Sequence, residues 1–481
     1  MTSQAINSDI ATVRLEGSTT RLRIASILAT TVFVSLLGLI VLTAIPYGTS
    51  QPWWIAAFVA AVFALAILWL VEGSINQSWF ARSLPLVLPL AALSLFSLLQ
   101  TLPIGNQSGN PGALRSVPWY AVSADPYQTR FFALTLMALT LSGVMLTRYA
   151  ASEKRLRILI NLIIGVAIAS ALFGILRQTT QHSPGFGLPL LGTDTGYGQF
   201  INYNHFAYLM EMALGLIVGL VLAGGVKREQ ALIYFAGLLP IWIALVLCGS
   251  RGGLIAMVAQ LIISALLFSI VARRGKSSEL QSRLLRTARS LPVRIALIVV
   301  LIGGVVFGTV WLGGDRLALK IEALHAELNT ETPLVREGAS RNEIWKATWR
   351  MFRAHPVLGV GMAGYWAAIP AFHDASGILT PQEAHNDYLE LLSSGGLVGF
   401  ALGIWFVVVL CKRIRVNLAA PNRFRRAACF GATLGIAGIA IHSLVDFGLH
   451  TIVNALVFTT LVVIATSKPQ WGNDPSSRQY D

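Results

Sequence analysis

Five short stretches of this sequence put polar or charged side chains at the ends of long apolar runs. In "CGSRGG", Arg251 stands between two such runs, flanked by Gly249, Gly252 and Gly253, which let other groups approach closely. In "SRNEIW", Arg341 falls in the first turn of a predicted helix, the end that favours anions over cations. A bound phosphate between the helix N–H groups and the guanidinium would account for that placement. In "AHNDYL", His385 and Asn386 open an apolar span, and an imidazole with a reference pKa of about 6.5 suits proton transfer near neutral pH. In "HSLVDFGLH", His442, Asp446 and His450 recur at four-residue spacing. Metal binding needs three or four convergent ligands, and Phe447-Gly448 can break the helix, so polar support of a site is favoured there over a metal centre. The stretch "NYNHFAYLMEM", with Asn202, Asn204 and His205, could bind sugar hydroxyls or line a cavity.

The elements that must position these residues are read from composition. The chain has 481 residues, 55% hydrophobic and 12% charged, with a mean hydropathy of +0.66. That is too much apolar surface for a soluble protein, and the long runs do not alternate as membrane β-strands do. The expected fold is all-α and polytopic, with about twelve membrane helices near 24–45, 53–72, 83–102, 130–148, 157–177, 200–224, 231–248, 253–272, 293–313, 387–411, 427–444 and 449–467. The expected layout is a tail over 1–23, nine spans within 24–313, an outer loop domain over 314–386, three spans within 387–467 and a tail over 468–481. The first span has no cleavage signature and is expected to be retained, with the N-terminus inside. Cys248, Cys411 and Cys429 form no CxxC pair, which argues against a disulfide framework or a zinc site.

Charge fixes the expected orientation. With both termini cytoplasmic, 25 of the 36 basic residues fall on the inner side, in the run Arg273 to Arg294 and in Lys412 to Arg426 above all. Seven of the 11 others sit in the one long outer loop. The net charge of +14 is thereby explained by the positive-inside rule and anionic lipid, with no call for nucleic acid. The loop 314–386 is far longer than an ordinary connection. Leu317, Ile321, Leu324 and Leu328 share one helical face, and Ser340 and Glu343 have the spacing of a capping box. A second helix follows with Ile344, Trp345, Thr348, Met351 and Phe352 on one side, ending at His355-Pro356, before the glycine-rich "PVLGVGMAGY". Gly395 and Gly399 have the GxxxG spacing that would seat the helix after His385 tightly against a neighbour.

These motifs, in this order, resemble the O-antigen ligase family, which includes related O-antigen and exopolysaccharide polymerases. His385-Asn386, nine residues, then Gly396-Leu397-Val398-Gly399 is similar to the ligases' His-Asn-x9-Gly-x-x-Gly motif. Ser250-Arg251-Gly252, and Arg341 followed by Pro356 and Gly359-Val360-Gly361, resemble the family's two arginine segments. Trp345 stands where the ligases often have Leu. The similarity covers roughly residues 200–410, and the segments around His205 and His442 are closer to exopolysaccharide polymerases. The resemblance implies a GT-C-like fold in the bacterial inner membrane. It also implies transfer of a glycan from an undecaprenyl diphosphate carrier to an acceptor hydroxyl, on another glycan or on the lipid A core, at the periplasmic face. It further implies a reaction without metal or other cofactor, and other polysaccharide-assembly proteins as possible partners. On that basis His385, Arg251 and Arg341 are the expected catalytic residues. Asn386, Asn204, His205, His442, Asp446 and Arg177 are the expected substrate-binding set. A secondary transporter or a lipid-linked glycan flippase is the alternative that twelve spans also allow.

Overall fold

The computed structural model describes residues 2–45, 47–76, 84–103, 121–180, 196–272, 341–373 and 381–467. The expected span 293–313, the expected helix around Leu317–Leu328, the basic run Arg273 to Arg294 and Ser340 lie outside these residues. Among the described residues the chain forms thirteen α-helices and no sheet. They are α1 (Thr2–Ala44), α2 (Pro52–Asn76), α3 (Leu84–Gln100), α4 (Pro126–Tyr149), α5 (Glu153–Thr180), α6 (Tyr203–Leu222), α7 (Arg228–Leu247), α8 (Arg251–Ala272), α9 (Arg341–Ala354), the single turn α10 (Tyr365–Ala368), α11 (Asp387–Asn417), α12 (Arg423–His442) and α13 (Ile452–Thr466). Eight are long and apolar enough to cross a membrane, and α3, α8 and α13 are shorter apolar helices. Eleven of the twelve expected spans therefore coincide with helices, and the protein is an all-α polytopic membrane protein. Helix α1 starts at Thr2, well inside the segment expected as a tail.

Helices α6 and α12 form the centre. Of their most apolar stretches 78% and 72% are buried, against 22% in the peripheral α7. A seam of small residues brings them together. A Cβ at Gly215 would lie 2.4 Å from the Gly435 nitrogen, and one at Gly219 would lie 2.1 Å from the Gly431 Cα. The two backbones touch, as van der Waals packing between membrane helices requires where lipid is as apolar as leucine.

Helix α11 is broken at Gly396, where φ is 61° and ψ −163°. The break is filled by the loop 356–362. The Val360 and Gly361 N–H groups donate to the Ser393 and Ser394 carbonyls, and the Leu397 and Val398 N–H groups donate to the Pro356 and Val357 carbonyls. Two carbonyls and two N–H groups of α11 at the break thus find their partners in the loop. The Gln100 side chain locks the junction from α3, donating to the Leu358 and Ser394 carbonyls and accepting from the Met362 N–H. The expectation of a Gly395–Gly399 helix seam is corrected. A Cβ at Gly399 would come no closer than 3.6 Å to any neighbour, whereas one at Gly396 would lie 2.3 Å from the Val357 carbonyl oxygen. The close approach is between α11 and the loop, and the seam expected there belongs to α6 and α12.

The contrast is testable. Gly396→Ala adds both a collision with backbone and a positive φ for an L residue, and should lower stability by about 1–3 kcal/mol. Gly399→Ala, whose Cβ would meet its neighbours only at ordinary van der Waals distance, should melt within about two degrees of the parent. Equal melting temperatures of the two variants in detergent would refute the assignment.

Candidate functional site

The site lies at the end of the bundle where α4, α11 and α13 begin, and it is organised by the turn between α12 and α13. Asp446 in that turn is 1% exposed, and its Oδ1 accepts from the Phe447 N–H at 2.9 Å. Two of the expected residues meet it. His385 Nδ1 stands 3.6 Å from Asp446 Oδ1, and Arg341 Nη2 stands 4.0 Å from Oδ2. Both separations exceed a hydrogen bond, an arrangement common in sites that tighten only around substrate. Burial alone would raise the Asp446 carboxyl, but His385, the charges of His205 and His442, and the Phe447 N–H outweigh it and hold the pKa below the usual aspartate value.

Local structure explains how His385 and Arg341 come together. His385 has φ 50°, a left-handed conformation uncommon outside glycine, held between two anchors. On one side the Ala384 N–H donates to Glu390 Oε2 at 2.9 Å, and on the other the Asp387 N–H donates to the Ser443 carbonyl at 3.0 Å. Asn386 is the N-cap of α11, its Oδ1 accepting from the Tyr388 and Leu389 N–H groups. Arg341 is carried by α9, whose Ile344, Ala347, Thr348 and Met351 are buried. Ala347 and Met351 join Val360, Tyr365, Ala368, Ile369 and Ala384 in a small separate core. The Trp345 indole N–H donates to the Ala384 carbonyl at 3.0 Å, tying the Arg341 helix to the residue before His385.

The other expected residues take different places. The Phe447 ring is met edge-on by His205, His385 and His450, at centroid distances of 4.9, 4.8 and 5.5 Å. His205 Nδ1 is 2.9 Å from Thr451 Oγ1. Asn204 is buried, its N–H donating to the side chain of the helix cap Asn202. Arg251, exposed, is the first residue of α8. The Arg177 guanidinium is buried and donates to the Gly198 carbonyl at 2.7 Å, fixing the turn that leads into α6. His442 is wholly buried behind the site, 2.7 Å from Glu211 Oε1. Glu211 carried a signal that sequence reasoning passed over, since an acid inside an apolar span is a functional candidate by default.

A second polar group was not expected either. His450 faces Glu383 at 3.4 Å, Asp387 at 3.6 Å and Glu390 at 3.7 Å. Among the described residues Glu383, Glu390 and His450 are the group whose ligand atoms converge well enough to hold a metal, lying within 4.8 Å of one another. The same geometry also suits a charged imidazole caged by carboxylates. These residues line one end of a cavity of about 800 Å³ that runs between α2, α3, α4, α11 and α13. Trp53 and Tyr127 flank that end, and the rest of the wall is largely apolar, down to Leu86, Val462 and Thr466 at the far end of the bundle.

Residues 235–404 match the family model of the O-antigen ligases. Over these residues, about a third of the chain, it is similar to the O-antigen ligase family. No curated protein gives a significant match. Arg251, Arg341 and His385 lie inside the matched segment, whereas Glu211, His442 and Asp446 come from outside it. The family supports a glycosyl-transferring, ligase- or polymerase-type role in a membrane, with a lipid-linked glycan donor and a glycan acceptor.

The His450 cage has a pH signature. Its packed surroundings alone would lower the imidazole pKa, but Glu383, Glu390 and Asp387 raise it well above 6.5. A raised pKa contributes stability that is fully present below the unfolded value of about 6.5 and is lost as pH rises through the folded value. The melting temperature of purified protein should therefore fall above about pH 6.5. His450→Gln should melt lower at neutral pH and lose that part of the alkaline decline. An identical pH dependence in both proteins would remove the charged cage.

Proposed function

We propose that this protein is a lipid-linked glycan transferase, an O-antigen ligase or an O-antigen or exopolysaccharide polymerase, working at the outer face of the bacterial inner membrane with both termini cytoplasmic. The observation that carries this is the meeting of Arg341, His385 and the buried Asp446 beside a membrane-deep apolar cavity. The excess of basic residues at the opposite side supports the orientation.

In this proposal the donor is a glycan on undecaprenyl diphosphate. Its apolar chain has room in the cavity, and its diphosphate meets Arg341 and Arg251, whose planar forks suit phosphate oxygens. Asp446 faces His385 Nδ1 and so favours the tautomer with the proton on that nitrogen, leaving Nε2 as the base. The acceptor hydroxyl gives its proton to Nε2 while its oxygen bonds to the anomeric carbon of the donor. The bond from that carbon to the phosphate oxygen breaks, and undecaprenyl diphosphate leaves with the electron pair. Negative charge grows on the leaving diphosphate, where fixed cations stabilise it most. His205 and Asn204 complete the polar wall on the α6 side.

The roles separate in one assay. With purified protein in vesicles and lipid-linked glycan as donor, His385→Ala should cut transfer roughly 10²–10⁴-fold while donor binding survives. Arg341→Ala and Arg251→Ala should lose both binding and transfer, with Lys rescuing only in part. Parental turnover in His385→Ala, or donor binding lost in proportion to rate, would leave the base unassigned.

The reaction is proposed to need no metal, so transfer should survive EDTA. Loss on chelation, restored by one divalent ion, would turn Glu383, Glu390 and His450 into metal ligands and overturn this part of the proposal.

A further inference from the structure

Glu211 on α6 and His442 at the end of α12 are each 0% exposed, with Oε1 and Nδ1 2.7 Å apart. They form a close polar contact inside the protein, at the head of the glycine seam between α6 and α12. Packing does not demand it there. The seam already joins these helices, and replacing a buried ion pair by apolar side chains of similar volume is often neutral or stabilising. The pair is also incompletely satisfied among the described residues, where Glu211 Oε2 and His442 Nε2 are buried and meet no hydrogen-bond partner.

Its surroundings indicate what it supports. The His442 ring is stacked on Tyr208, with centroids 4.2 Å apart. Gly252 lies against its Nε2 edge, where a Cβ would come within 2.4 Å. The next residue, Gly253, lies against Glu211 Oε1, where a Cβ would come within 3.1 Å. The two glycines that follow Arg251 therefore seat the start of α8 directly on the pair. On its other side the His442 carbonyl accepts from the Val445 and Asp446 N–H groups, which starts the turn that presents Asp446 to His385 and Arg341. Tyr208 also reaches Ser443 Oγ at 3.3 Å, and the Ser443 carbonyl takes the Asp387 N–H.

We propose that Glu211 and His442 are positioning residues of the transfer reaction: a buried, closely paired acid and imidazole that set the Arg251 turn and the Asp446 turn relative to each other. This rests on the transferase proposal above. The pair touches no substrate and acts through Arg251 and Asp446. The charged and titratable groups around Asp446 are His385 and Asp387 at the start of α11, Arg341 on α9, His205, Tyr208 and Glu211 on α6, and His442 in its own segment.

The test uses the full-length protein in vesicles, with Glu211→Gln and the double variant Glu211→Met/His442→Leu. Both should insert, and the double variant should melt no lower than the parent. Both should transfer glycan roughly 10²-fold more slowly, since displaced supports misplace reacting groups. Glu211→Asp, which keeps a carboxyl group facing His442, should recover part of the lost rate. Parental rate in the double variant would make the pair dispensable. Joint loss of folding and activity in both variants would make it purely structural, and either result overturns the proposal. His385→Ala in the same assay keeps the two ideas apart. If it is inactive while the Glu211 variants match the parent, this inference alone fails. If it is fully active, the reading of His385 as the base fails whatever Glu211 does.

Discussion

Every backbone N–H and C=O inside a bilayer must find a partner within the protein, and that constraint shapes this molecule most where a helix is broken. At Gly396 two carbonyls and two N–H groups of α11 find their partners in the loop 356–362. The pairing has only one register, because the Gly359 and Gly396 backbones approach so closely that neither admits a Cβ. Once the loop is docked, α9 is carried with it, and α9 bears Arg341. The same α11 begins at the Asn386 cap, directly after His385. One break in one helix thus ties together two residues 44 positions apart in sequence. Gln100, reaching in from α3, joins the first half of the chain to that junction.

The glycine seam between α6 and α12 is the second fixed point. Because the two backbones touch, the side chains at its head have little freedom, and Glu211 meets His442 at 2.7 Å. From there the turn 443–450 places Asp446 on one side of Phe447 and His450 on the other. The polar end of the protein is therefore divided by one aromatic ring. A side bearing Arg341, His385 and Asp446 stands opposite a side where His450 sits among Glu383, Asp387 and Glu390.

The sequence by itself determined the class of fold. Eleven helices lie where apolar runs of spanning length predicted them, because burial in lipid depends on local composition and length, which a single segment carries. It also determined which residues deserve attention. Arg251, Arg341 and His385 stood out as polar groups at the ends of apolar runs, and the α9 helix was legible from its one-sided apolar pattern up to His355-Pro356.

What only the tertiary structure decided was partnership. Spacing made Gly395 and Gly399 look like a helix seam, yet Gly396 carries the close contact, because it packs against a loop whose place no local pattern encodes. His442 and Asp446, four apart, read as one face lining a site. The helix ends between them, so one is buried against Glu211 and the other faces His385. Glu211, passed over in the sequence, finds its partner on α12, 231 residues away. A charge inside a membrane is tolerated only by virtue of what faces it, and what faces it is a property of the folded chain.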